Sequence, residues 1–445
     1  MTGHPPKRTV GVRRVRLEDV RNIIVHRDEG MYLYATNRGG IWNFGDGEIA
    51  VAYLAAPMDY SVMKDGPNQS WSRHCGGPRS MWGRHERWGS ESGCIISRSF
   101  DNGETWPDEE RQWIWNNDRT TDEILDWLRP RPRAEREEID LGETDSIIHF
   151  CHGVYLKPPI GAIGSESGLD LGHRKHPPSF SLRSRDRGRT WEKHATVIDH
   201  PVWAPEGGYL GVNLGYVRFD NGVLGIVGAI YWRHALCYYV SYDNGISWEY
   251  CSEVVRVSPH LIRSAPGVDK YGYTYGGVHR LPDGRLMCSM YQIPPEMPCV
   301  AFSDDDGMTW SPPRFFTSPG NQFGNMADPE PERPLNDVKL ANRWRCPSAL
   351  VLRDGRILVL FARRTPNLGS RGILGVVSED LGATWSEEFV VRGDGYSYDL
   401  GYQMPTELAD GRIFVAYWFC AKEQDEPIEE VQIVRHIAGT FFRID

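Results

Sequence analysis

Five residues hold one position in a repeating pattern. Arg38, Asn213, Tyr275, Cys346 and Tyr402 each stand eight residues before the Asp or Asn of a short turn, and His152 takes the corresponding place in a sixth segment. Asn37, Thr274 and Arg345 lie one residue earlier. Most of these are polar groups where a purely structural strand would tolerate Val or Leu. If the segments converge, Arg, His, Asn and Tyr line one polar pocket, the arrangement expected of a ligand site. No metal chemistry is visible: HERW (85–88) and HRKH (173–176) lack a ligand spacing such as HExxH. No phosphate loop or nucleotide fingerprint appears, so no cofactor is expected.

The turns that follow these residues are hairpin signals. NFGDGEIAVAYL (43–54), RFDNGVLGIVGAIYW (218–232), RLPDGRLMCSMY (280–291), VLRDGRILVLFARR (351–364) and ELADGRIFVAYWF (407–419) each put a DG or NG turn between apolar runs. FCHGVYLKPPI (150–160) takes the same place without DG. A second repeat interleaves with the first: SFDNGETW (99–106), SRDRGRTW (184–191), SYDNGISW (241–248), SDDDGMTW (303–310) and SEDLGATW (378–385). All five fit Ser-x-Asp-x-Gly-x-(Thr/Ser)-Trp. Its chemistry is structural. Ser and Asp bond nearby backbone N–H groups, Gly permits positive φ, and Trp packs against neighbouring strands. Five equivalent Asp residues cannot share one active centre.

Each module is therefore a four-stranded antiparallel meander, and six of them arranged radially make an all-β, six-bladed β-propeller over residues 1–445. The blades are expected near 36–115, 146–196, 209–255, 273–316, 344–392 and 400–445. An N-terminal strand over 20–35 would close the last one. A single helical stretch, DEILDWLRPR (122–131), falls between the first two blades. Both kinds of turn lie on one face. The opposite face carries long connections rich in Arg, Trp, His and Tyr, such as WSRHCGGPRSMWGRHERW (71–88), and is expected to be functional.

Composition bounds the remainder. A net charge of −10 argues against a general nucleic-acid binder. No apolar stretch approaches a membrane span. No signal peptide is visible, and the nine cysteines form no CxxC pair, which suggests reduced thiols and a cytoplasmic location. Oligomeric state is open.

The repeated Ser-x-Asp-x-Gly-x-Thr-Trp motif on six four-stranded blades resembles the Asp boxes, or BNR repeats, of the sialidase (neuraminidase) superfamily. The resemblance covers nearly the whole chain. It implies an exo-acting glycoside hydrolase that removes a terminal acidic sugar, from an acidic oligosaccharide or glycoconjugate. The family clamps the sugar carboxylate with arginines, whose forks suit it bidentately. A Tyr, usually helped by a Glu, attacks the anomeric carbon, and an Asp is acid and then base. Carried onto this chain, the resemblance makes Tyr402 the nucleophile, with Asp399 beside it. Arg38, Arg345 and Arg363 (or equally Arg364) become the clamp, and Asn213, Tyr275, His279 and His152 substrate contacts. The acid/base falls among Asp59, Asp65, Glu86 and Glu91, with Asp59 and Glu91 put forward. Thr274 and Tyr275 stand where the Glu partner would be, and Tyr291 where an Arg could be. Two other readings stay open: a propeller lyase or uronide-cleaving enzyme using Tyr275, His279 and His152, and a non-catalytic carbohydrate-binding propeller.

Overall fold

The computed structural model describes residues 14–34, 36, 40–57, 92–152, 179–201, 210–212, 215–230, 235–257, 272–293, 297–316, 343–364, 371–396, 400–421 and 434–445. These residues form six small antiparallel sheets arranged as a six-bladed propeller. Blade four shows the pattern. Its inner strand Gly272–Arg280 turns at Gly284 (φ +91°) into Leu286–Ile293, then Met297–Ser303, then the short outer strand Arg314–Phe315. Apolar clusters fill the gaps between neighbouring blades. Trp344, Ala349 and Phe361 of blade five, for instance, meet Met287, Val300 and Phe302 of blade four.

The last blade joins both ends of the described chain. Gly401–Glu407, Ile413–Phe419 and His436–Ile444 are completed by Leu17–His26, with Leu17 opposite Ile444. The closing strand is shorter than the expected 20–35 at its far end. Asp28 caps a turn through the Gly30 N–H (2.8 Å), and Met31–Tyr34 crosses to pair with the second strand of blade one. The helix is Thr121–Leu128, held by a capping box between Thr120 and Glu123. Its Ile124, Trp127 and Leu128 pack on Phe180 and Trp115 between blades one and two.

Blade two departs from expectation. Ile147–His152 pairs with Ser179–Ser184, the strand that feeds the box turn, and Ile147 lies opposite Ser184. It is therefore a second strand, running from the turn face to the loop face. His152 ends a strand on the loop face instead of beginning an inner one.

All five Ser-x-Asp-x-Gly turns share one bonding scheme. In blade four the Gly307 N–H donates to Ser303 Oγ (2.8 Å), while Asp305 accepts from the Thr309 N–H (2.9 Å) and hydroxyl (2.7 Å). The residue before each Gly is left-handed, with φ of +61°, +59°, +55°, +54° and +56° at Asn102, Arg187, Asn244, Asp306 and Leu381. Turn and hairpin meet across blades. Arg187 reaches Asp46 (2.6 Å) and Glu48 (2.8 Å), Arg412 reaches Glu104 (2.8 Å), and Arg285 donates to Leu381 O (3.3 Å). Both turn types thus occupy one face, as read from the sequence.

Burial opposes ionisation of Asp101, Asp186 and Asp380, yet hydrogen bonds from the Thr and Ser of each turn outweigh it and hold these carboxyls below their ordinary value. A depressed folded-state pKa adds stability that is complete above the unfolded value of about 4 and is lost as pH falls through the folded value. Urea midpoints measured from pH 6 to pH 3 are expected to fall below about pH 4. Asp380→Asn is expected to flatten that fall, and an unchanged slope in the variant would count against the turn as its source.

Candidate active site

The positions counted back from the hairpins coincide with a repeated backbone irregularity. In blade four the register slips between Thr274 and Gly277, in blade five between Arg345 and Ser348, and in blade six between Gly401 and Met404. Each slip is a one-residue bulge, and each carries a left-handed non-glycine residue: Tyr275 (φ +53°), Cys346 (+55°) and Tyr402 (+56°). Such a conformation costs about 1–2 kcal/mol per residue, and bulges re-aim side chains. Three equivalent blades therefore hold strain at the loop-face start of their inner strands.

The re-aimed side chains of blades four and six meet. The phenol oxygens of Tyr275 and Tyr402 are 3.0 Å apart, and their ring centroids 5.3 Å. Tyr275 stacks on Tyr291 (5.6 Å, 17° between planes), and Tyr402 packs edge-on against Trp418 (5.4 Å). Trp418 in turn touches Tyr32 and Tyr34 of blade one. An aromatic wall thus runs from blade four through blade six to blade one.

Two arginines flank this wall. The Arg345 guanidinium lies 5.9 Å from the Tyr291 ring centroid, and that of Arg364 lies 5.6 Å from Tyr402 and 5.9 Å from Trp418. Arg364 is fully buried and donates twice to Leu400 O (3.0 and 2.8 Å). Arg363, the preceding residue, faces the other side of the strand. It pairs in register with Trp344 and acts on Glu388, whose carboxyl burial pushes up and Arg363 pulls down. Trp344 Nε1 donates to that same carboxylate (3.0 Å). Alternation along the strand thus brings Arg364 to Tyr402 and sends Arg363 to the gap between blades four and five.

The Tyr402 backbone is held from three directions. Thr36 Oγ1 donates to its carbonyl, Arg364 grips the residue two before it, and Gln403 Nε2 donates to Cys346 O and to Leu360 O (2.8 Å). Thr36, Gln403, Trp418 and Tyr34 are the site residues that sequence reading missed. Reading outward from the hairpin along the second strand would have found Trp418, which lies opposite Gly401.

His279 stands apart from this group. It lies four residues down the strand from Tyr275, beside the hairpin turn, opposite Met287. Burial lowers its pKa to about 4, so the ring is neutral at neutral pH. Arg38, Asp59, Asp65, Glu86, Glu91, Asn213 and Asp399 fall outside the described residues.

No protein-family model matches the sequence, and no curated protein matches it by sequence. Solved structures do resemble the fold. A protein of unknown function from Dyadobacter fermentans is 19% identical and superposes with a TM-score of 0.60, over 96% of this chain and 99% of its own. A Hadza microbial sialidase is 16% identical with a TM-score of 0.54, over 95% of this chain and 68% of its own. The leech intramolecular trans-sialidase is 13% identical with a TM-score of 0.51, over 96% and 70%. With its six antiparallel sheets and closing N-terminal strand, the chain is a six-bladed β-propeller, and its fold is similar to that of these sialidases.

Proposed function

We propose that the protein is a sialidase-like exo-glycoside hydrolase that removes a terminal acidic sugar, sialic acid or a relative. The observation that carries this reading is Tyr402, strained into a left-handed bulge at the start of the last blade's inner strand, with its phenol toward Tyr275 and its ring against a buried arginine. A phenol is a sensible nucleophile for such a substrate. The sugar's own carboxylate would repel an Asp or Glu, whereas a neutral oxygen approaches the anomeric carbon without that penalty. Arg345 and Arg38 would hold the carboxylate. Asp59, Asp65, Glu86 and Glu91 are the candidates for protonating the leaving oxygen, and Asp399 for orienting a group of the pocket.

The test is a panel of acidic glycosides and polyuronides with mass-spectrometric product analysis. The expected product is a free acidic monosaccharide. An unsaturated, ultraviolet-absorbing product would replace hydrolysis with elimination, and saturable binding without turnover would make the propeller a carbohydrate-binding module.

A further inference from the structure

Resting on that reading, we propose that Tyr275 is a second catalytic residue, a neutral hydrogen-bond donor to the reacting oxygen of Tyr402. The two phenols are 127 residues apart in sequence and 3.0 Å apart in space. Each is delivered by the same device, a one-residue bulge with its Tyr in the left-handed region. Strain at both partners of one hydrogen bond is the pattern expected when geometry at that bond is what the fold preserves.

Tyr275 is also firmly seated. Its ring stacks on Tyr291, which is fully buried, and the adjacent Gly276 has no room for a side chain: a Cβ there would meet Leu236 at 2.8 Å and Val227 at 3.0 Å. Blade four is thus pressed onto blade three at the bulge. A donor fixed this way needs no reorganisation when charge develops on its partner.

The chemistry balances in two halves. First the Tyr402 oxygen bonds the anomeric carbon as the bond from that carbon to the aglycone oxygen breaks. The Tyr402 proton passes to water, and the aglycone leaves with a proton taken up in its place. Then water adds to the carbon and the carbon–Tyr402 bond breaks. Its electron pair goes to the Tyr402 oxygen, which regains a proton from the water. Tyr275 keeps its own proton throughout. Its O–H stabilises negative charge on the Tyr402 oxygen, most of all when that oxygen is the leaving group. A carboxylate in this place would add a second negative charge facing an anionic substrate, whereas a phenol adds none.

The experiment is steady-state and burst kinetics on Tyr275→Phe, using aryl sialosides of graded leaving-group quality. The ring and its stacking are retained, so melting is expected to stay near wild type. The turnover number is expected to fall about 100-fold and KM to fall with it, because the covalent intermediate accumulates, leaving kcat/KM near wild type. The second half becomes limiting. Aglycone is then released in a burst of one equivalent, kcat loses its dependence on the aglycone, and intact-protein mass spectrometry shows a sugar adduct that maps to Tyr402. Site-specific 3-fluorotyrosine at position 275 keeps the shape and strengthens the donor, and is expected to speed the second half. Wild-type kcat without a burst in Tyr275→Phe, or identical rates for Phe, Tyr and fluorotyrosine, would overturn the inference. If Tyr402→Phe is inactive in the same assays, the parent reading survives that loss. If the wild-type protein releases no acidic sugar, the parent reading fails first and this one with it.

Discussion

Tyr402→Phe is expected to abolish release of an acidic sugar while leaving the propeller intact. On the proposed mechanism, the ring of this side chain packs and its hydroxyl reacts. The ring packs against Trp418, Tyr275 and the Arg364 guanidinium, and Phe keeps all three contacts. The hydroxyl bonds Tyr275, and losing one such bond costs about 1 kcal/mol of stability. Removing a nucleophile, by contrast, lowers turnover by on the order of 10³-fold or more. The measurement is kcat on an aryl sialoside beside a thermal melt. Retained turnover in Tyr402→Phe would remove the phenol from the chemistry.

The largest effect on stability is expected at Glu192, far from that site. Its carboxylate is buried between two buried arginines. It accepts from Arg136 (2.6 Å) and Arg183 (2.8 Å), and from the Arg183 backbone N–H (2.9 Å). Arg183 also donates to Glu137 O (3.0 Å) and Asn244 O (3.2 Å), so the cluster ties the blade one–two connection, blade two and the blade-three turn together. Truncating the shared carboxylate leaves two guanidiniums in a dry site without their counter-charge. Glu192→Ala is expected to cost about 3–5 kcal/mol, and Glu192→Gln less, because an acceptor oxygen remains. Urea unfolding of both variants measures this. A loss below about 1 kcal/mol in Glu192→Ala would show that water reaches the cluster.

Much of the architecture was legible because it is repeated. Five copies of one turn and five hairpin signals fixed the blade number, the turn face and the closing partner of the last sheet. Counting back eight residues located three left-handed bulges, since the inner strands of blades four to six share one length from bulge to turn. Legibility stopped where a repeat was broken or where a side had to be chosen. Blade two lacks the DG turn, so Ile147–His152 read as an inner strand when its pairing makes it a second one. The choice between Arg363 and Arg364 depends on strand parity, and the bulge beside Arg345 shifts the pairing that would set it. The Arg136–Glu192–Arg183 cluster was invisible because its members come from an irregular connection, a strand end and the residue after a turn Trp.

The closing strand has a consequence for the order in which the site comes into being. Thr36, whose hydroxyl holds the Tyr402 carbonyl, precedes it by 366 residues, and Asn22 accepts from Thr440 (2.7 Å) across the same seam. During synthesis the first blades emerge and can collapse on local hairpins long before these partners exist. Contacts of such sequence separation form last, because loop closure must precede their reward. Until then the edge of Leu17–His26 and that of His436–Ile444 are unpaired strands, the surfaces most prone to join another chain. The Tyr402 environment is thus a record of completion: a molecule that binds or turns over ligand there has already sealed its ring.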